Sequence, residues 1–417
     1  RDRRSGAALM LAVAVKLTVV LLLPFLLLAA RPPRRRARFL TGAALAAVRA
    51  LSMRTIVIAV VALHAVLLLS PPLQLTDLFN YLGYARLGAL HHLNPYAHVI
   101  AAEQHDPVFG LTSWHHLRSP YGYAFTLLTY PLGLLPLPIA YWVLKTATVL
   151  ASLGLIALVW RCARQLGHDP RFAVLFVAAN PIFLIYELGG FHNDVFMLLP
   201  AMASISLLLD GRDRRSGAAL MLAVAVKLTV VLLLPFLLLA VRPPRRRARF
   251  LTGAALAAAP LAAVSVAAFG FAAPNLSAQT SLLTPFSVPN LVGLMVGLGG
   301  GAPGLLRVAA VAPVVVVAIM VVLVVRGRRD WLSAAGVATL GLLACLAWLT
   351  PWYIVWVLPL AALGSSIGLR RAALASTVFL VLSFVPATET MLTQAGLNPM
   401  NTPIGRAVNA DAMRLAG

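Results

Sequence analysis

Apolar runs of membrane-spanning length alternate along this chain with short polar stretches, most of them rich in arginine. The runs fall near residues 55–70, 137–160, 172–186, 195–209, 217–241, 250–271, 305–325, 331–349, 353–363 and 372–385. A helix rising about 1.5 Å per residue needs roughly 20 apolar residues to cross a hydrocarbon core of about 30 Å. Strand-like alternation is absent, and backbone groups in lipid must be satisfied within each segment, so helices are the spanning solution left. The pattern predicts an all-α polytopic membrane protein of about 10 to 12 transmembrane or re-entrant helices.

One run is ambiguous. Residues 217–241 have "RDRR" before them and "RPPRRRAR" after them, and Lys227 and Pro235 interrupt their middle. Basic residues stay on the cytoplasmic side, so both ends ask to be inside. A bent or re-entrant hairpin satisfies this, and a single tilted span is the other reading. The same stretch also occurs at the start of the chain. Residues 1–47 repeat residues 212–258 with one difference, Ala30 against Val241. Structural repeats of old origin survive only as weak hydropathy echoes, so near-identity marks a recent duplication or an assembly fault. Residues 1–48 are therefore expected to be a peripheral appendage. Residues 49–390 form the transmembrane domain, with an outer loop at 71–136, and 391–417 form a C-terminal tail.

Composition agrees with this reading: 61% of residues are hydrophobic, 11% are charged and the mean hydropathy is +0.90. The net charge of +22 raises nucleic acid as a partner. Its arginines cap apolar segments instead of interleaving with aromatics along a groove, which excludes that class. The two cysteines, Cys162 and Cys345, offer neither a disulfide framework nor a metal motif. "NLS" at Asn275 and "GLGGGA" near residue 297 are read as ordinary loop, because no strand precedes the glycines.

Polar chemistry gathers in the outer loop. The chain has twelve acidic residues and nine histidines, and six of the histidines lie between His91 and His116. Asp77 follows the first span by a few positions, at headgroup depth, where a carboxylate can serve as a general base. If "DLFNYLGYAR" is helical, Asp77, Tyr81 and Tyr84 share a face, with Asn80 beside them. Helix capping is the competing reading of Asp77, and also of Asn193 or Asp194 in "GGFHND". Lys227 is expected to face a polar cavity, or else to snorkel or pair with a carboxylate such as Asp194. Trp352, Tyr353 and Trp356 read either as an aromatic belt or as a sugar-stacking platform. The pairs His91/His92 and His115/His116 diverge on a helix, so a divalent metal is not expected.

The stretches "DLFNYLGYARLGALHHLNPY", "HDP", "SPYG", "GGFHND" and "TPWYIVWVLP" resemble the GT-C superfamily of membrane glycosyltransferases. The likeness is to the actinobacterial mannosyltransferases that use polyprenyl-phosphate mannose, and it covers residues 55–386. The resemblance implies that Asp77 is the catalytic base of an inverting transfer. The donor would be a polyprenyl-phosphate sugar and the acceptor a glycan or glycolipid hydroxyl, at the outer face of a bacterial cytoplasmic membrane. No cofactor is implied. Candidate substrate-binding residues are Asn80, Tyr81, Tyr84, Arg86, Asn94, Tyr96, Arg118, Tyr121, His192, Asp194, Lys227, Trp352 and Tyr353. Arg86, Arg118, His192 and Lys227 are the candidates for the leaving phosphate. A transporter or flippase of lipid-linked sugar is the alternative. It would gather polar groups at the bilayer midplane and show two related halves.

Overall fold

The structure is a computed structural model that describes residues 51–73, 77–272, 274, 282–298 and 302–384, with Arg406, Ala410 and Met413. The duplicate at 1–48, Asn275, half of "GLGGGA" and nearly all of the tail 391–417 lie outside the described residues. The chain divides into two compact units, Arg1–Ile56 and Val57–Gly417, and the second carries the cavity and the helices around it.

The described residues contain helices and no strand. Four helices are long and apolar enough to cross a membrane: Leu137–Gln165, Pro244–Phe269, Pro303–Val325 and Ile367–Phe384. Pro170–Ala178 and Ile182–Leu188, bent by 51°, make a fifth if they count as one span. Among the described residues these four or five are the helices of spanning length, against the ten to twelve transmembrane or re-entrant helices expected. The other apolar runs form shorter helices: Met53–Leu69, Asp194–Leu209, Leu228–Ala240, Trp331–Cys345 and Pro351–Leu363.

The run expected at 172–186 is broken for a local reason. Pro181 has no amide proton, and Asn180 accepts from the amides of Ile182 and Phe183 at 3.0 and 3.4 Å. Its Nδ2 donates to Thr377 Oγ1 at 3.0 Å, which ties the bend to helix Ile367–Phe384. Backbone groups freed at a bend inside a bundle need such partners.

The ambiguous segment doubles back. Helix Asp213–Val226 ends at Lys227, which is extended (φ −154°, ψ 114°), and the chain continues through a 3-10 turn, Leu228–Leu233, and helix Leu234–Ala240. Lys227 reaches Asp194, the first residue of helix Asp194–Leu209. Arg246, just past the return, donates to Leu208 O at the far end of that helix and pairs with Asp213 at 2.7 Å. The 16 residues of that helix extend about 24 Å, so tip and base lie at opposite ends.

Residues 331–366 double back in the same way. Ser365 Oγ donates to Asp330 Oδ2 at 2.5 Å and the Ser366 amide to Ser333 Oγ at 3.0 Å, which closes the base. Trp356, in the returning arm, donates from Nε1 to Asp194 Oδ1 at 2.5 Å. Two folded-back segments thus meet at one carboxylate. Arginine pairs mark the opposite end, with Arg161 bonded to Asp210 and Arg246 to Asp213.

Candidate active site

Helix Asp77–Ala89 carries Asp77 at its first residue. Asn80, one turn on, is fully buried and uses both ends of its amide. Its Nδ2 donates to Asp77 Oδ1 at 3.2 Å and to Ser113 Oγ at 2.9 Å. Its Oδ1 accepts from the amides of Ser113 and Trp114. Asn80 therefore fixes the Asp77 carboxylate to the far part of the outer loop.

The "GGFHND" turn closes on the same carboxylate. Gly189 O accepts from the Leu73 amide at 2.8 Å, and Phe191 adopts φ +54°, a left-handed conformation unusual for a bulky residue. His192 follows, fully buried, with Nδ1 3.1 Å from Asp77 Oδ2. The approach lacks hydrogen-bond geometry, so both ring nitrogens are without a hydrogen-bond partner. The imidazole stacks on Trp352, with centroids 3.6 Å apart and planes at 11°. The Asn193 amide donates to Tyr81 Oη at 3.1 Å.

Asp194 Oδ1 accepts from both Lys227 Nζ and Trp356 Nε1 at 2.5 Å, and Oδ2 has no partner. The Lys227 ammonium also lies 4.8 Å from the ring centroids of Tyr353 and Trp356. The cap of the following helix comes from Glu187, whose Oε1 accepts from the Val195 amide at 3.0 Å; Asn193 makes no side-chain cap bond.

Asp77, Tyr81, Tyr121, Asn193, Lys227, Trp352, Tyr353 and Trp356 border a cavity of about 1280 Å³, whose lining also includes the apolar Leu261, Val266, Leu306 and Val314; the expected site residues Asn80, His192 and Asp194 are not on that lining. Asp77 and Lys227 are the charged side chains on the lining among the described residues. Tyr121 lies in the loop before helix Tyr123–Gly133. Burial first, then the charge of Asp77, hold its phenol well above the usual value, so it keeps its proton and can donate it in a hydrogen bond. Trp352 and Trp356 are buried and line the cavity.

Several expected site residues do not reach the cavity. Arg86 Nε bonds both oxygens of Asp106, at 2.8 and 2.9 Å, and its guanidinium also faces the carbonyls of Gly133 and Leu135. His91 adds a 2.7 Å contact to Asp106 and lies 3.4 Å from Glu103. Tyr84 donates to Leu117 O, and Asn94 donates to Phe269 O. Tyr96 donates to Thr126 Oγ1 and Tyr121 O. These residues fasten the outer loop. Arg118 is exposed and off the cavity wall. No group of three or more His, Cys, Asp or Glu side chains could hold a metal ion among the described residues.

Sequence reasoning missed Glu187, Trp114, Trp348 and Lys145. Lys145 is buried, donates to Ser70 O and Tyr141 Oη, and sits 4.6 Å from the Phe191 ring centroid. The signal used for Lys227, a lysine inside an apolar run, applies equally to Lys145.

Comparison with known proteins agrees with this geometry. Residues 35–243 match the family model described as alpha-(1->6)-mannopyranosyltransferase, N-terminal domain, and residues 287–405 match the MptB C-terminal domain. Alpha-(1->6)-mannopyranosyltransferase A of Mycobacterium tuberculosis is 30% identical over 329 residues, covering 72% of this chain and 63% of that protein. A probable alpha-(1->6)-mannopyranosyltransferase of Mycolicibacterium smegmatis is 25% identical over 367 residues, covering 75% of this chain and 66% of that protein. The chain thus spans just under two thirds of the length of these relatives. No solved structure matches it. The chain belongs to the alpha-(1->6)-mannopyranosyltransferase family.

Proposed function

We propose that this chain is the catalytic portion of an inverting membrane mannosyltransferase, moving mannose from a polyprenyl-phosphate donor to a glycan or glycolipid hydroxyl at the outer face of the cytoplasmic membrane. The single observation carrying this reading is one cavity lined by two chemistries: the charged Asp77 and Lys227, and apolar residues of Pro244–Phe269 and Pro303–Val325 such as Leu261, Val266, Leu306 and Val314. That division fits a donor whose reacting end is polar and whose carrier is hydrocarbon.

Asp77, oriented by Asn80, takes the proton from the acceptor hydroxyl as its oxygen attacks the anomeric carbon. Polyprenyl phosphate leaves from the opposite face, its charge met by Lys227 and hydrogen bonds from groups such as Tyr121. An inverting displacement yields the α-(1→6) bond in the relatives' names only from a β-linked donor. The fold-back of residues 213–240 and 331–366 supports counting the shorter arms as re-entrant, which returns the total to about 10 to 12 segments.

The test is transfer from radiolabelled polyprenyl-phosphate mannose in membranes containing the protein. Asp77→Asn is expected to lose about 10²–10⁴-fold in rate, the usual contribution of a general base. Activity near wild type would move the base elsewhere, with Asp194, whose Oδ2 has no partner, next in line.

A further inference from the structure

We propose that Trp114 and Trp348 form an acceptor subsite, a wall on which a hexopyranose ring of the acceptor glycan stacks beside Asp77. This rests on the glycosyltransferase reading and names what the receiving side of the cavity binds.

Both tryptophans line the cavity and both are half-buried. Their ring centroids are 6.0 Å apart at an interplanar angle of 78°. They come from separate loops, Trp114 from the stretch before Gly122 and Trp348 from the link between Trp331–Cys345 and Pro351–Trp356. They pack against Leu117 and Leu282, which also line the cavity.

Their backbones are fixed while their rings face the cavity. The Trp114 amide donates to Asn80 Oδ1 at 3.3 Å, and the same Asn80 donates to Asp77. Trp348 is bracketed by Thr284: the Thr284 amide donates to Ala347 O at 2.9 Å, and the Leu349 amide donates to Thr284 Oγ1 at 3.1 Å. Neither indole N–H has a hydrogen-bond partner among the described residues.

An indole offers an electron-rich face and a polar edge, which suits the C–H face and hydroxyls of a pyranose. The hydrocarbon carrier has its own lining in Leu261, Val266, Leu306 and Val314. Because Asn80 holds both Trp114 and Asp77, a ring stacked on this wall keeps its hydroxyl in register with the base.

The test uses water-soluble α-(1→6)-mannotriose, without alkyl chain or donor, and hydroxyl-radical footprinting of the full chain in lipid nanodiscs. Protection of Trp114 and Trp348 is expected, in wild type and in Asp77→Asn alike. Persistence in Asp77→Asn tells failure of the base assignment apart from failure of the subsite. In transfer assays Trp114→Ala or Trp348→Ala should raise the trisaccharide KM about tenfold, the size of one lost stacking contact, with donor KM unchanged. Trp114→Phe should recover most of the loss. Unchanged oxidation of both tryptophans, or a rise confined to donor KM, overturns the proposal. If Trp114→Ala does not fold, the wild-type footprint and Trp348→Ala carry the decision.

Discussion

Lys227 is the cation on the cavity wall among the described residues, and it is already bonded to Asp194. Removing one partner of a buried pair leaves the other charge uncompensated, at a cost of about 3–5 kcal/mol. Lys227→Met should therefore destabilise by roughly that amount and also abolish transfer. Adding Asp194→Asn should recover stability in detergent unfolding without recovering transfer. Recovered transfer in the double variant would remove Lys227 from the phosphate site. Asp106 makes a different prediction. Burial alone would raise its carboxyl, but hydrogen bonds from Arg86, His91 and the Val108 amide outweigh burial and hold it below the ordinary value. Its stabilisation is fully present above the unfolded value of about 3.9 and is lost as pH falls through the lower folded value. Asp106→Asn should lower the unfolding temperature at neutral pH and narrow its gap to wild type in strong acid, and a constant gap would refute this. At this scale the sequence displayed Lys227 because charge is rare in apolar runs, and Asp77, His192 and Asp194 because polar residues stand out where such runs end. It did not display that Arg86 is taken by Asp106, twenty residues away, since that pairing depends on how the loop folds back.

The hairpin of residues 213–240 sets where Lys227 sits, and its tip rests against the outer loop. A Cβ at Gly122 would fall on the carbonyls of Ala225 and Val226, so the loop and the tip can approach only with glycine there. Gly122→Val should push the tip away and lower transfer through Lys227. Gly110→Ala, where a Cβ meets nothing within 4 Å, should be silent. Equal activity in the two variants would mean the tip position is not critical. The flanking arginines and Lys227 made the fold-back legible as one of two readings, because charge constrains both ends of a segment. The bend at Asn180–Pro181 was not legible: a proline that opens a helical turn is ordinary, and the partner that stabilises the break, Thr377, is 197 residues away.

At the scale of the described fold, aromatics gather around Asp77 and Asp194, while Arg161, Arg246 and the arginines of 326–329 lie at the base of the fold-backs. Basic residues resist translocation, so on the proposed function the arginine end faces the cytoplasm and the cavity the outside. The assignment can be tested with single cysteines after Cys162 and Cys345 are replaced by alanine. His116→Cys, exposed in the outer loop, should react with an impermeant maleimide in intact cells, and Arg328→Cys only after permeabilisation. The reverse pattern would bring the cavity to the cytoplasmic side, where soluble nucleotide sugars are available and a lipid carrier is no longer needed to deliver the donor. The apolar residues on the cavity lining would then have no substrate to explain them, so the sidedness experiment bears on the donor as directly as on the topology.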